Sequence, residues 1–189
     1  MKIDNAKFIK GLVESDEILF DGRKQIAFIG RSNVGKSSII NALTNNKKLA
    51  ITSSTPGRTQ QINVFLINND FYLIDLPGYG YAKSSKSGRK RIQELINWYL
   101  FESKTEIKFV VLLIDANIGP TNDDLDMLQN LVETKKNIII VANKIDKIKK
   151  SLVQKQINHI RDIVGPHTII PFSAEKKQGI DELISILLA

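Results

Sequence analysis

Cysteine is absent from the 189 residues. That excludes disulfides, thiolate catalysis and Cys-ligated zinc, and it fits a reducing compartment. Long apolar runs are absent as well. The longest, FVVLLI and IIIVA, fall far short of the roughly 20 residues a membrane-spanning helix needs. The first ten residues, MKIDNAKFIK, lack the apolar core of a secretory signal. Together these absences lead to the expectation of a cytoplasmic protein with no membrane span. No internal repeat, low-complexity segment or linker interrupts the chain. What is present is ordinary for a globular domain: 42% hydrophobic and 25% charged residues, in a length that buries a substantial core. Lys and Arg number 27 against 20 Asp and Glu, a net charge of +7. Such an excess favours a polyanionic partner such as nucleic acid, through steering and counterion release. A basic enzyme without that partner would show the same balance.

Apolar, β-branched runs alternate with helical patterns. Strands are expected at QIAFIG (25–30), INVFLI (62–67), FYLIDL (71–76), KFVVLLIDA (108–116), NIIIVANK (137–144) and HTIIPFSA (167–174). The tripeptide NND between the second and third of these predicts a hairpin. Helical spacing is carried by Ile39, Ile40 and Leu43; by Ile92, Leu95, Ile96, Tyr99 and Leu100 over 88–103; and by Leu125, Leu128, Leu131 and Val132. It returns at Leu152, Ile157, Ile160 and Val164, and at Ile180, Leu183, Ile184 and Leu187. Trp98 lies near its helix's apolar stripe and reads as core. His159 and His167 have no partners in sequence and read as structural. Strands without alternation are buried on both faces. The pattern therefore gives an α/β chain of three layers, a mixed, mainly parallel six-stranded sheet with five helices on its two faces. Residues 1–22 read as an N-terminal extension and 23–189 as one domain.

Four motifs carry chemistry. GRSNVGKSS (30–38) lies between a strand and a helix, the context that G-x-x-x-x-G-K-[ST] requires. Gly30 and Gly35 allow backbone N–H groups to face phosphates at a helix N-terminus. Lys36 supplies a charge for the β- and γ-phosphates, and Ser37 a hydroxyl for Mg²⁺. NKID (143–146) chooses the base. The Asp146 carboxylate can accept from the N1–H and N2–H₂ of guanine, a donor pair adenine lacks. Asn143 can tie that loop to the phosphate loop, and the Lys144 stem can cover the purine. This disfavours an ATPase or a P-loop kinase. Ser173 and Ala174, in SAEKKQG, are placed to offer a backbone N–H to guanine O6, although Ser173 would also suit a helix cap. In DLPGYGYAK, Asp75 ends a strand and can support Mg²⁺ through water, while the Gly78 N–H can meet a γ-phosphate. Upstream, TSSTPGRTQ (52–60) offers Thr55 and Thr59 to complete the metal shell. Thr59 is preferred because it directly precedes a strand.

The order GRSNVGKS, TPGRT, DLPG, NKID, SA resembles the translation-factor-type GTPases. TPGRTQ with DLPGYGYAK is similar, more narrowly, to the EngB (YihA/YsxC) family of ribosome-biogenesis GTPases, in the TrmE–Era–EngA–YihA–septin-like superfamily. The resemblance spans nearly the whole chain. It implies a lone P-loop NTPase G domain, acting as a monomer, that binds GTP or GDP with Mg²⁺ and hydrolyses GTP slowly. It implies a role in late assembly of the large ribosomal subunit, contacting rRNA and ribosomal proteins, and in normal cell division and septation. The alternative is a division or signalling switch with a protein partner and no direct rRNA contact. Nucleotide contacts carry over to Gly30, Arg31, Ser32, Asn33, Val34, Gly35, Lys36, Ser37 and the adjoining Ser38. They extend to Gly57, Arg58, Thr59, Gln60 and Gln61; to Asp75, Leu76, Pro77 and Gly78; to Asn143, Lys144, Ile145 and Asp146; and to Ser173, Ala174 and Glu175. Ser37, Thr59 and Asp75 would serve Mg²⁺. Many members have Thr in place of Asn143, which leaves base recognition intact, and a basic residue near Asn117.

Catalysis is assigned to Lys36, Thr59, Gly78 and Asn33. Many GTPases place a water-orienting Gln directly after the Gly of DxxG, but this chain has Tyr79. Its plain reading is an aromatic packed over a neighbouring helix. In similar potassium-dependent GTPases an Asn at the position of Asn33 helps bind K⁺ beside the phosphates, which would counter developing charge. The alternative is that Asn33 only shapes the loop. Lys83, Lys86, Arg89, Lys90 and Arg91 follow the switch. Basic charge at a helix start opposes its dipole, so this cluster reads as an RNA-phosphate contact or as a solvated helix start.

Overall fold

The computed structural model describes residues 2–51, 60–80 and 86–189, with the Lys86 side chain left aside. Seven strands form one sheet: β1 (Ala6–Leu12), β2 (Gln25–Gly30), β3 (Ile62–Ile67), β4 (Phe71–Asp75), β5 (Ile107–Asp115), β6 (Ile138–Asn143) and β7 (Thr168–Pro171). Their spatial order is β1-β3-β4-β2-β5-β6-β7. All neighbouring pairs from β4 to β7 are parallel, and β3 runs antiparallel to both β4 and β1. The expected hairpin is present. Asn68 and Asn69 hold φ of 51° and 57°, the left-handed pair that a tight hairpin turn needs.

The count of strands is seven rather than six. The added strand, β1, is an edge strand whose Lys7, Phe8, Ile9 and Lys10 are all exposed. No alternation of apolar and polar residues marks it, because only its backbone is recruited, by β3.

Five helices cover the sheet: α1 (Lys36–Leu43), α2 (Lys86–Asn97), α3 (Asn122–Glu133), α4 (Val153–Val164) and α5 (Ile180–Leu187). On one face α1 and α5 bury Ile39, Ile40, Leu43, Leu183 and Leu187 against Ile26 and Phe28. On the other, α2, α3 and α4 close over Ala27 and Ile29. Successive β2 residues thus enter different cores, as the pleat requires. The α3 stripe differs from the expected one. Met127, Leu128 and Leu131 are buried, whereas Val132 is about half exposed, at 48%. Leu152 is likewise exposed, because α4 starts one residue later.

The helix expected over 88–103 is α2 followed by a π-helical turn, Trp98–Glu102. Tyr99 in that turn is fully buried, and Trp98 packs at the core's margin. The Tyr99 hydroxyl donates to Gln25 Oε1 at 2.7 Å, and Gln25 Nε2 donates to the Leu19 carbonyl at 2.6 Å. Gln25 has no solvent exposure, so each bond satisfies a group that water cannot reach. Tyr99→Phe strands the Gln25 carbonyl oxygen and should destabilise the fold by about 1–3 kcal/mol, read as a lower urea midpoint with an unchanged slope.

Candidate functional site

The carboxyl ends of β2, β4, β5 and β6 deliver Gly30, Asp75, Asp115 and Asn143 to one edge of the sheet. Ligands bind at that edge in open parallel sheets. The loop after β2 runs into α1 through Gly35, with φ of 104°. A Cβ there would lie 2.4 Å from Asn143 Nδ2. Only glycine permits both the left-handed turn and the approach. In return, Asn143 Nδ2 donates to the Val34 carbonyl at 2.8 Å. This is the tie between base loop and phosphate loop that the sequence suggested. Lys144, itself left-handed at φ 68°, adds a second. Its Nζ donates to the Asn33 carbonyl at 2.8 Å and to Asp115 Oδ2 at 2.7 Å. The sequence reading missed Asp115. Its signal was the strand-terminal position.

A 690 Å³ cavity opens beside these ties, lined by Gly35, Ser38, Asn143, Lys144, Asp146 and Ala174 among others. Asp146 Oδ1 accepts from Ser173 Oγ at 2.6 Å, and Ser173 Oγ accepts from the Lys176 N–H at 3.0 Å. Burial works to raise the Asp146 pKa. Hydrogen bonds from Ser173 and Lys147 outweigh it and hold the carboxyl below its usual range, so it is anionic at neutral pH. The Ser173 N–H is committed to the Gln178 carbonyl at 3.1 Å. Of the two N–H groups suggested for guanine O6, that leaves Ala174's. Glu175 pairs with Lys147 at 3.1 Å. Ile145 is held by its N–H on the Phe172 carbonyl at 3.2 Å.

Lys36 lies beneath the loop at 8% exposure. Its Nζ reaches the Gly30 and Arg31 carbonyls at 3.3 and 3.5 Å. Burial lowers its pKa, against the pull of Asp75. Asp75 is buried too, and burial raises its pKa against Lys36 and Ser37. Ser37 Oγ donates to Asp75 Oδ2 at 3.0 Å, whereas Asp75 Oδ1 is buried with no hydrogen-bond partner. Two of the three residues assigned to Mg²⁺ are therefore together, with a spare buried acceptor. That donor set fits a cation held by a hydroxyl, phosphates and water. Among the described residues no cluster of three His, Cys, Asp or Glu could hold a metal unaided.

Gly78 presses on the phosphate loop. A Cβ there would meet the Ser32 N and Cα at 2.8 Å and Lys36 Nζ at 3.0 Å. Ser32 N–H donates to the Tyr79 carbonyl at 3.0 Å, and Ser32 Oγ to the Gly78 carbonyl at 3.3 Å. Leu76 and Pro77 are buried behind them. Arg31 and Asp123 converge on Gly80. Tyr79 is 7% exposed, and its hydroxyl donates to Asp124 Oδ1 at 2.8 Å. The other oxygen, Asp124 Oδ2, accepts from the Thr121 N–H and hydroxyl that cap α3. Burial drives the Tyr79 pKa upward, with Asp124 adding to it. The phenol is thus neither a base nor free to turn to a water. It packs over α3, the plain reading of its sequence position.

Gln60 is exposed, and Gln61 lies elsewhere, donating to Asn63 Oδ1 at 3.0 Å beside Gly11 of β1. Gly57, Arg58, Thr59 and the alternative Thr55 lie outside the described residues, as does Lys83. Asn41 was not foreseen. Its carboxamide brackets Ala50, donating to that carbonyl at 2.9 Å and accepting its N–H at 2.8 Å.

Residues 25–144 match the family described as "50S ribosome-binding GTPase". A curated relative from Clostridium kluyveri, named "Probable GTP-binding protein EngB", is 49% identical over 99% of this chain and 96% of its own. The chain belongs to the EngB family of GTP-binding proteins. It is accordingly a GTPase, and the expected P-loop α/β fold stands. A crystal structure described as a probable GTP-binding protein engB superposes with a TM-score of 0.73 at 30% identity, covering 87% of this chain and 96% of that one. Era in complex with MgGDPNP and a segment of 16S ribosomal RNA superposes with a TM-score of 0.70 at 30% identity, covering 88% of this chain and 56% of that one.

Two outcomes test this geometry. Asn143→Ala, which frees the Val34 carbonyl, should weaken binding of a methylanthraniloyl-GDP about tenfold to a hundredfold, followed by fluorescence titration. Tyr79→Phe should lower stability by about 1–3 kcal/mol yet leave GTP turnover within about twofold of the parent, measured as phosphate release.

Proposed function

We propose that this GTPase assists late assembly of the large ribosomal subunit, binding in its GTP form and leaving after hydrolysis, and that normal division and septation depend on that role. The observation that carries this reading is the bare basic start of α2. Arg89, Lys90 and Arg91 are exposed, and no acidic residue occupies the first turn. Among the described residues only Lys90 of these three has an ion pair, an exposed one with Glu94 at 3.6 Å. A helix start of that charge gains nothing from its own dipole, whereas rRNA phosphates would neutralise it. It also follows the segment that senses the γ-phosphate, so the nucleotide could govern it. The family description names the 50S ribosome, and a structural relative is bound to ribosomal RNA, which supports the reading.

In this reading Asp146 and the Ala174 N–H recognise guanine, with Lys144 beside the ring. Lys36 holds the β- and γ-phosphates, and the Gly78 N–H meets the γ-phosphate. Ser37, with Asp75 through water and Thr59, would hold Mg²⁺, which when bound would supply positive charge against the phosphates. Because Tyr79 orients no water, the missing charge comes from K⁺ beside Asn33 or from the ribosome. Residues 1–22, expected as an extension, contribute β1 to the sheet, so the chain reads as a single domain that works as a cytoplasmic monomer. No helix among the described residues is long and apolar enough to cross a membrane.

Sedimentation with large subunits in GTP analogue and in GDP tests the reading, together with turnover in KCl and in NaCl. Cosedimentation is expected with the GTP analogue and much less with GDP, and turnover should be faster in KCl. Equal rates in the two salts remove K⁺ from the mechanism. Absence of cosedimentation in both nucleotides favours a protein-partner switch.

A further inference from the structure

A second concavity lies away from the nucleotide, where the loop after β5 meets the entry to α4. It encloses 460 Å³ and is lined by Asn117, Ile148, Leu152, Lys155, Gln156 and His159. Its volume lies within the range of small-molecule sites, about 300–1,000 Å³. Its floor is apolar, formed by Ile148 and Leu152, the latter 48% exposed. Its rim is basic. Lys149, Lys150, Lys155 and His159 are all exposed.

The charge pattern changes sharply here. Just before the cleft, Lys144 pairs with Asp115 at 2.7 Å and Lys147 with Glu175 at 3.1 Å. From Lys149 to Lys155 the pairing stops. Lys149, Lys150 and Lys155 form no ion pair among the described residues. No acidic residue lines the cleft, and none stands in the first turn of α4. Three lysines at a helix start repel one another and its dipole, so an external anion is what would offset them.

We infer that this cleft is an RNA-binding surface. It takes one unstacked base from a single-stranded segment, while Lys149, Lys150 and Lys155 neutralise the flanking phosphates. The inference rests on the ribosome reading above and adds a second point of contact. The apolar floor and the His159 ring suit the face of a base. The amides of Asn117 and Gln156 offer both donors and acceptors to its edge, and Gln156 is steadied by its bond to the Ala116 carbonyl at 2.9 Å. A duplex could not present a base to a concave site. None of these residues belongs to the phosphate loop or to residues 75–80, so the contact holds in either nucleotide state. That separates it from the start of α2.

The test uses the full chain and a fluorescein-labelled 12-nucleotide oligouridylate, with anisotropy followed across a salt series. The triple variant Lys149→Gln, Lys150→Gln, Lys155→Gln should reduce the salt slope by about 2, at about 0.7 for each single-strand phosphate contact. The reduction should be the same in GDP and in GTP analogue, with GTP turnover unchanged. His159→Ala should weaken binding about fivefold or more without moving the slope. In the unaltered protein, a 4-thiouridine crosslink should map between Ile148 and His159, a result that does not depend on any variant's folding. An unchanged slope, or a crosslink confined elsewhere, overturns the inference. If Arg89→Gln, Lys90→Gln, Arg91→Gln alone abolishes binding, the inference falls and the ribosome reading stands. If neither the oligonucleotide nor large subunits bind the unaltered protein, both fall. Displacement by poly-glutamate at matched charge concentration points to an acidic protein instead and also overturns it.

Discussion

Lys36 and Asp75 carry opposite charges beneath the phosphate loop, both nearly excluded from water. Neither is settled by the other. Lys36 leans on two backbone carbonyls, and one Asp75 oxygen has no hydrogen-bond partner among the described residues, although Asn63 lies close enough to help lower its pKa. Removing charge from water is expensive unless the partners are complete, and burial moves both pKa values toward the neutral forms. A core evolved for stability alone would replace such a pair. Its presence makes sense when the ligand itself carries both signs, an anion for the lysine and a cation for the carboxylate. The parallel sheet makes the arrangement tolerable, because β2 and β4 are paired neighbours: β4 ends on Asp75, and β2 leads through the loop into α1, whose first residue is Lys36.

The same constraint shapes the stretch after Asp75. Gly78 must lie flat on Ser32 and Lys36, so no side chain fits there. The next residue is then aimed away from the phosphate loop, into the core under α3. Tyr79 fills that place, spending its hydroxyl on Asp124 while its carbonyl stays on Ser32. One residue therefore joins the phosphate loop, the switch and the cap of α3. A residue so anchored is a strut between three parts of the site.

Much of this was legible. Gly30 to Ser38, the NND hairpin and NKID each combine a local conformation with a chemistry, so spacing alone located them. What escaped lacked a local signature strong enough to name its partner. β1 is set by backbone pairing at an edge, with four consecutive exposed residues and no period to read. The π-helical turn at Trp98–Glu102 keeps the apolar spacing of an α-helix, and only the buried Gln25–Tyr99 bond discloses its purpose. Asp115 and Asn41 act on residues 29 and 9 positions away, partners that only the fold brings together. Gln61 illustrates the reverse case. It stands in a motif yet turns to β1, because Gly11 leaves room there and Asn63 supplies an acceptor.

The two ends of the nucleotide site are not independent modules. Asn143 and Lys144 follow one another in sequence but reach back to the carbonyls of Val34 and Asn33, also consecutive. Base recognition is thereby stitched to the loop that holds phosphates, and Asp115 keeps the second stitch in register. Consecutive carbonyls pointing outward are possible because Asn33 and Gly35 both take positive φ, at 64° and 104°. The turns that aim amides inward at phosphates thus expose the carbonyls that the base loop grips. The loops proposed for phosphate and for guanine thus depend on one shared backbone conformation.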